Sequence, residues 1–449
     1  MRDLKLKLLT ELDRESVPDR YVVALSGGLD SIVLLHCMVS LRDASLLRAD
    51  INAVHINHQL STAAMDWQSF CTETCQQWCV PLATREVSVA IDGSLEAAAR
   101  VARYNAFRGL VRSGDLLLLA HHLDDRIETS LFRLLRGAGA QGLSGIPKMR
   151  ALGEATLWRP FLDFTRADLH SYAVEHRLEW MEDNSNREDC HDRNFLRLHV
   201  LPIFERRWPD YRSSWRKSLD LMAEGNEFQK ALADQDLLPI MSPRGGLLLA
   251  QLEKLNPARQ RNVIRRWSKL LGLQTLGWQI THQLVDEFLP SMGSGFDILD
   301  CLMCCHDGEL FAVRKLSADA PQPCNFLASD RFVRLRPKNG TLSITQISGD
   351  GINKRFQKLE VRYRNGSESL KMRGRPNKSL KDLLREVGMP PWQRQRVPLI
   401  YAESELICVP GIGVAERYHA GPADLGNVIR WESPQQLITP EKPLEPKVE

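Results

Sequence analysis

Six consecutive residues, Ser26-Gly27-Gly28-Leu29-Asp30-Ser31, combine paired glycines, two hydroxyls and one carboxylate. Glycines permit backbone N–H groups to converge on an anion, the hydroxyls add donors, and a helix beginning near Ser31 would turn its positive end to the same point. Phosphate is the guest that fits. A Walker A loop places Lys directly before its Ser, whereas here that position is Asp30, an acid able to hold Mg²⁺ between phosphates. The pattern favours cleavage between the α- and β-phosphates of ATP, with pyrophosphate cradled by Ser26, Gly27, Gly28, Leu29, Asp30 and Ser31, and with Asp30 as the Mg²⁺ ligand. The alternative is a Gly-Gly turn with a serine cap.

A second group, His121-His122-Leu123-Asp124-Asp125-Arg126-Ile127-Glu128-Thr129, places Asp125 and Glu128 at i and i+3, on one face of a helix. Together they could grip a cation or an ammonium group, although acids at a helix N-terminus are also ordinary dipole complements. His55-Ile56-Asn57-His58 closes an apolar run where an adenine or ribose pocket is expected, which makes His55 a nucleotide-binding candidate. Glu96, Arg100 and Arg103 share a helical stripe, and arginines aimed at the loop could stabilise a phosphoryl group or hold a nucleic-acid backbone. A solvent-facing salt-bridge row reads equally well. Arg136-Gly137-Ala138-Gly139 ends a helix and opens a Gly-rich stretch to Gly145, a candidate lid or a helix C-cap with a turn. Cys71, Cys75 and Cys79 fall on one helical face and read as core, and neither they nor Cys301, Cys304 and Cys305 have histidines at metal-ligand spacing.

These residues need elements to position them. Tyr21–Leu25 is a short β-prone run, the Gly-Gly stretch follows, and Ile32–Leu41 is long and periodic enough for a helix. Strand, turn and helix recur: a strand over 51–57, helices over about 65–79 and 94–112, a strand over 116–120, and a helix over about 124–136. Alternation of this kind predicts an α/β fold with a parallel, doubly wound sheet whose ligand lies at the C-terminal strand ends. From about Pro202 the chain turns helical, and beyond about 295 short β-prone pieces suggest a small α+β or β-rich module. Four segments are expected: 1–215, a mostly helical 216–345, a basic 346–432, and a tail over 433–449 without structure.

Composition narrows the partner. With 43% hydrophobic and 26% charged residues over 449 positions, disorder and fibre are excluded. No window approaches 18 uninterrupted apolar residues, the first residues mix charges with leucines, and ten cysteines are too sparse for a disulfide scaffold. A cytoplasmic protein without membrane partners is expected. The net charge of +3 conceals an asymmetry: residues 351–400 hold 13 Lys/Arg against 4 Asp/Glu, while residues 1–350 hold 42 against 44. A localised positive field points to a polyanion, or else to a merely solvated stretch.

The Ser26–Ser31 motif resembles the pyrophosphate loop of the N-type ATP pyrophosphatases, which adenylate a carbonyl oxygen. Together with HINHQLS, EAAARVARY, AHHLDDRIET, LLRGAG, EDNSN and RNFLR (193–197), and with RGRPNKSLKDLLREVGMPPWQRQRVPLIY (373–401), the chain resembles the bacterial tRNA(Ile)-lysidine synthetase family. The likeness is dense over residues 20–200. It implies a catalytic domain over 1–215 and tRNA-recognition domains over 216–345 and 346–432. It also implies a reaction in which ATP activates C2 of the wobble cytidine in the CAU anticodon of tRNA(Ile). Free L-lysine then displaces AMP to give lysidine. On this resemblance Asp30, Arg100, Asp125 and Glu128 are catalytic and Asp125 and Glu128 bind lysine. Arg103, Arg136, Arg193, Lys371, Arg373, Arg375 and Lys378 are expected on tRNA. Three departures stand out: Ala120 and Arg126 replace the family's frequent Gly and Gln, and Ser61 stands where Arg is frequent. Arg126 is therefore expected to face solvent or tRNA. A thiolation enzyme of the same superfamily would carry CxxC pairs near the active-site strands, where this chain spaces its cysteines CxxxC. A small-molecule ligase would not need the basic segment, and a non-catalytic RNA-binding module would not need its intact acids. Oligomeric state stays open, a homodimer being compatible with the sequence.

Overall fold

The structure, a computed structural model, describes residues 4–13, 17–57, 64–87, 95–182, 192–274, 276–291, 295–298, 301–315, 320–434 and 436–440. His58, Ser61 and most of the EDNSN stretch lie outside them, as does the side chain of Glu96. The chain forms two compact units, residues 1–228 and 229–449.

In the first unit the strands are β1 (Arg20–Ala24), β2 (Asp50–Asn57), β3 (Leu82–Glu86), β4 (Asp115–Leu118), β5 (Met149–Leu152) and β6 (Ala155–Trp158). They lie in the order β3-β2-β1-β4-β6-β5, parallel except for β5, which pairs antiparallel with β6. The helices are α1 (Leu4–Leu12), α2 (Leu29–Asp43), α3 (Ala64–Gln77), α4 (Leu95–Leu110), α5 (Leu123–Leu135), α6 (Ala140–Leu143) and α7 (Arg166–Glu175). Side chains on alternate strand positions build two cores. Tyr21, Val23, Leu116 and Leu118 pack with α1, α2 and α7, while Val22, Val54 and Leu117 pack with Phe107 of α4. A sheet covered on both faces explains why β1 and β4 read as unbroken apolar runs.

The strand order reverses between β1 and β4, which are paired from Arg20↔Asp115 to Val23↔Leu118. The segments leaving these two strands therefore diverge at a topological switch point, where open α/β sheets bind ligands. The Ser26–Ser31 turn leaves β1 and the His121–Thr129 segment leaves β4. Downstream, α8 (Asp192–Phe195), a π-helical turn Leu196–Val200 and α9 (Leu201–Arg207) precede the long helix α10 (Tyr211–Leu237). Leu196, Leu201 and Tyr211 form one apolar cluster with Leu123, Ile127 and Leu131 of α5.

The second unit joins helices such as Pro257–Leu270 to a four-stranded sheet of Leu247–Leu248, Phe296–Ile298, Cys301–His306 and Glu309–Arg314, around a core that includes Trp267 and Leu284. The middle region is thus helical with a small sheet of its own. Among the described residues three further sheets follow, of five, four and two strands. The tail expected to lack structure from residue 433 is instead held in its described part. Arg314 donates its N–H to the Gln436 carbonyl, Ile438 donates to Ala312, and Leu437 bridges Val313. The open edge of the Glu309–Arg314 strand supplies partners that composition alone does not reveal.

Candidate active site

The Ser26–Ser31 turn is built around the Ser31 hydroxyl. It accepts the N–H groups of Ser26 and Gly27, both at 3.2 Å, and donates to the Gly28 carbonyl at 2.9 Å. Gly27 sits at φ +88°, and a Cβ there would meet Cys71 Sγ and the Trp67 ring, each at 3.1 Å. Gly28 caps α2 with no side-chain bond, which leaves the first amides of the helix available to an anion. His55 is buried, and its Nδ1 lies 2.9 Å from the Leu25 carbonyl, immediately before the turn. It supports the turn from below, and burial lowers its pKa. Cys71 and Cys75 are buried as well, their thiols pushed up by burial to about 12 and about 11, which suits core packing, whereas Cys79, expected on the same core face, lies beyond the end of α3 and is exposed.

The second wall comes from α5. His122 is its N-cap: the ring Nδ1 accepts the Asp125 N–H at 3.4 Å, and Asp125 Oδ2 accepts the His122 N–H at 3.0 Å. That reciprocal cap leaves Nε2 pointing between two carboxylates, 3.7 Å from Asp30 Oδ2 and 3.5 Å from Asp125 Oδ2. Asp30 of the first motif and Asp125 of the second therefore meet across one imidazole. Burial, with Asp125 beside it, raises the Asp30 carboxyl above its ordinary range, and His122, Arg166 and Arg197 oppose this. Burial also works against ionisation of Asp125, but His122, His121 and Arg197 prevail and hold it below its ordinary value.

Glu128, one helical turn further, is buried and receives both Nε (2.6 Å) and Nη2 (2.8 Å) of Arg197. Burial pushes Glu128 up, and the two bonds from Arg197 pull against it. Asp124, 3.7 Å from His122 Nδ1, is held by other partners, accepting Arg212 Nε at 2.6 Å and the Arg166 N–H at 2.8 Å. On the far side His121 takes a bond from the fully buried Arg159 at 3.3 Å. Burial, aided by Arg159 and Arg100 and opposed by Asp125, brings His121 down to about 4. Arg159 also donates to the Tyr104 hydroxyl, over whose ring Arg100 stands at 5.2 Å and Arg150 at 4.3 Å.

Comparison with known proteins agrees with this geometry. Residues 3–204 match the PP-loop domain family, residues 247–311 the TilS substrate binding domain and residues 359–431 the TilS substrate C-terminal domain. The tRNA(Ile)-lysidine synthase of Coxiella burnetii is 36% identical over 438 residues, covering 96% of each chain. That of Pseudomonas aeruginosa is 36% identical over 447 residues, covering 96% of this chain and 97% of the relative. The chain belongs to the tRNA(Ile)-lysidine synthase family. Among solved structures, the U34-tRNA thiolase NcsA of Methanococcus maripaludis, with its [4Fe-4S] cluster, covers 49% of this chain and 78% of its own at 15% identity and a TM-score of 0.43.

Placed in this lysidine synthase frame, the sequence candidates divide. Ser26–Ser31, Asp30 and Asp125 converge, and Glu128 joins them through its helix. Arg100 is exposed and lies over Tyr104, Arg103 is exposed on the same helix, and Arg136 stacks on Phe132 at 5.2 Å. Arg193 is partly buried on α8. In the second unit, Lys371, Arg373 and Arg375 line the exposed turn between the short strands Ser369–Leu370 and Lys378–Ser379, with Lys378 at its base. The Gly-rich stretch after α5 carries α6 and is tied back by Arg133, whose Nη1 donates to the Gly142 and Gly145 carbonyls.

Arg126 requires a correction. Expected toward solvent or RNA, it is buried, and its Nη1 donates to Asp220 of α10 at 2.7 Å. One residue along a helix is a rotation of about 100°, so Arg126 points off the carboxylate face, where α10 covers it. The residues that sequence reasoning passed over are His122, Arg159 and Arg197. Arg197 belongs to the RNFLR motif, and a long cation there, facing an otherwise unpaired Glu128, was the available signal.

Proposed function

We propose that the chain is a ligase forming a C–N bond between L-lysine and C2 of the wobble cytidine in a CAU-anticodon tRNA(Ile), switching decoding from AUG to AUA. In the first step the C2 oxygen attacks the α-phosphate of ATP and pyrophosphate leaves. In the second the lysine ε-amine, having shed a proton, attacks C2, and AMP departs with the oxygen. An amide-like carbonyl is a poor electrophile, and adenylation supplies its leaving group. The observation that carries this reading is the meeting of an anion-cradling turn and an acid pair at one sheet edge, joined through His122.

The turn amides and the Ser26 hydroxyl are assigned to the departing pyrophosphate. Mg²⁺ fits beside Asp30, whose Oδ1 is buried and has no hydrogen-bond partner among the described residues. When bound, it would neutralise charge between phosphates. No group of three or more His, Cys, Asp or Glu able to hold a metal occurs among the described residues, which suits an ion shared with the nucleotide. Asp125, kept ionised, is assigned to the lysine ammonium. Glu128 is assigned to the same group at the far end of its bond to Arg197. Arg100 is assigned to developing charge, and the exposed cations of both units to the tRNA backbone.

We assign residues 1–215 to catalysis and residues 216–345 and 346–432 to tRNA recognition. No helix among the described residues is long and apolar enough to cross a membrane. The cytoplasm, where ATP and tRNA reside, is the proposed location, and the free cysteines support it. A homodimer is compatible with this reading.

The test is incubation with ATP, labelled lysine and tRNA(Ile), with elongator tRNA(Met) alongside. Lysine transfer and AMP release are expected with tRNA(Ile). Release of ADP, or transfer of sulfur instead of lysine, would overturn the reading. Asp30→Ala should abolish AMP formation.

A further inference from the structure

Behind α5 lies a cavity of about 630 Å³, a volume usual for small-ligand sites, lined chiefly by Phe204, Trp208, Tyr211 and Trp215, with Arg207 and Asp210 as its charged lining residues. The four rings form one connected set, with neighbouring centroids 5.9–6.4 Å apart. Trp208 is 53% exposed, although a ring of that size is ordinarily covered. The Arg207 guanidinium stands 5.4 Å from its centroid and that of Arg212 stands 4.8 Å from Tyr211. None of these aromatic residues takes part in the chemistry described above.

Charge identifies the occupant. Between Phe204 and Ser218 the chain holds five Lys/Arg against two Asp/Glu; of these Arg207 and Asp210 line the cavity, Arg212 is held by Asp124 and Glu205, and Arg206, Arg216 and Lys217 surround it. An apolar protein segment would gain nothing from that excess, whereas a nucleotide uses both halves of the arrangement: rings for its base, cations for its phosphates. Position narrows it further. Trp215 Nε1 donates to Ser130 Oγ at 2.9 Å, and Arg212 reaches Asp124, so the cavity wall is bonded to the helix that bears Asp125 and Glu128. Ser130 is five residues beyond Asp125, about 7.5 Å along the helix, which is within reach of a nucleotide close to the reacting one. Bases in a duplex are not available for stacking of this kind, while splayed bases of a single-stranded loop are.

We infer that this aromatic cavity receives an unstacked base of the RNA substrate's anticodon loop, other than the modified cytidine, and so fixes the loop's register on the active site. The inference rests on the proposed function for the identity of the RNA. One base would be held between Trp208 and its neighbours, with Arg207 on the adjoining phosphate.

The experiment uses full-length protein and CAU-anticodon stem-loops carrying 2-aminopurine at one loop position at a time. Quenching on binding is expected at one position outside the cytidine, and Trp208→Ala should relieve it. With the stacking of one base lost, Trp208→Ala should raise the KM for the RNA about ten-fold while the KM for ATP stays unchanged. Trp208→Phe should stay within about three-fold of the parent. Because Trp208 is exposed, loss of the fold is not expected, and the unchanged ATP KM checks it. Absence of any quenched position, or an RNA KM unaltered by Trp208→Ala, would overturn the inference. So would quenching by ATP alone of the part of the intrinsic fluorescence that Trp208→Phe removes, which would mark a free-nucleotide site. Failure of lysine transfer by the parent protein would defeat the proposed function, whereas the quenching assay reports on the cavity independently.

Discussion

At the scale of single residues, the chemistry is set by which groups are deprived of water and which are given partners. Gly27 is constrained twice: its positive φ strains any other residue, and a Cβ there would crowd Cys71 and Trp67, each at 3.1 Å. Gly27→Ala should cost about 1–3 kcal/mol, read as a lower Tm, and should weaken ATP binding by moving the turn amides. Glu128 is constrained by charge. Glu128→Gln leaves Arg197 with one neutral acceptor, and breaking a buried pair costs about 3–5 kcal/mol. With Arg197 one-third exposed, about 2 kcal/mol is the expected loss. The double variant Glu128→Gln/Arg197→Met should recover part of it in a denaturant titration, and the KM for lysine should rise in both. The acids and glycines of the site were legible in the sequence because each motif follows a strand. Arg197 and His122 were not, since their roles depend on long-range approach and on a cap geometry that spacing does not encode.

At the scale of elements, periodicity served where an element is buried on one side or both. β1, β4, α2 and α5 fall within a few residues of their expected ends. β3 escaped notice because it is a largely exposed edge strand with no apolar alternation, and the β5–β6 hairpin because each strand is only four residues long. The packing of α2 on α7 carries a pH signature. His36 of α2 bonds the Tyr172 hydroxyl at 3.0 Å and lies 5.1 Å from the His176 ring, whose own ring stacks on Tyr172 at 4.0 Å. Burial above all, with His176 and Lys5 adding to it and Asp43 opposing, pushes His36 down to about 4 from its ordinary 6.5. Between pH 6.5 and 4 the unfolded chain takes up a proton that the folded chain refuses. Stability therefore falls as pH drops through that window and is untouched above it. Discounted for partial exposure, the loss should be about 1–2 kcal/mol. His36→Gln, which keeps a hydrogen-bonding partner for Tyr172, should flatten that slope in thermal melts taken from pH 7 to pH 4.

At the scale of the whole molecule, the charge asymmetry read from composition resolves into a feature of the second unit. No change of composition announces the division into units, because Phe228 and Gln229 lie within one amphipathic helix. Four of the 13 Lys/Arg of residues 351–400 sit together at the turn between Ser369–Leu370 and Lys378–Ser379. Lys371 pairs with Glu416 at 3.1 Å, Arg375 lies 3.9 Å from Glu386, Lys378 pairs with the same Glu386, and Arg373 has no ion pair among the described residues. Exposed pairs of this kind are worth about 0–1 kcal/mol each, so a phosphate backbone can take these cations from their carboxylates at little cost. Each cation that does so releases counterions, and the logarithm of the binding constant falls by about 0.7–0.9 per decade of salt for each contact. Replacing Lys371, Arg373, Arg375 and Lys378 together by Gln should weaken tRNA binding at low salt and reduce the slope by about 3 if all four reach phosphate. Their exposure predicts an unchanged Tm. A slope equal to that of the parent protein would mean that the turn is only solvated, and the polyanion would have to be held elsewhere.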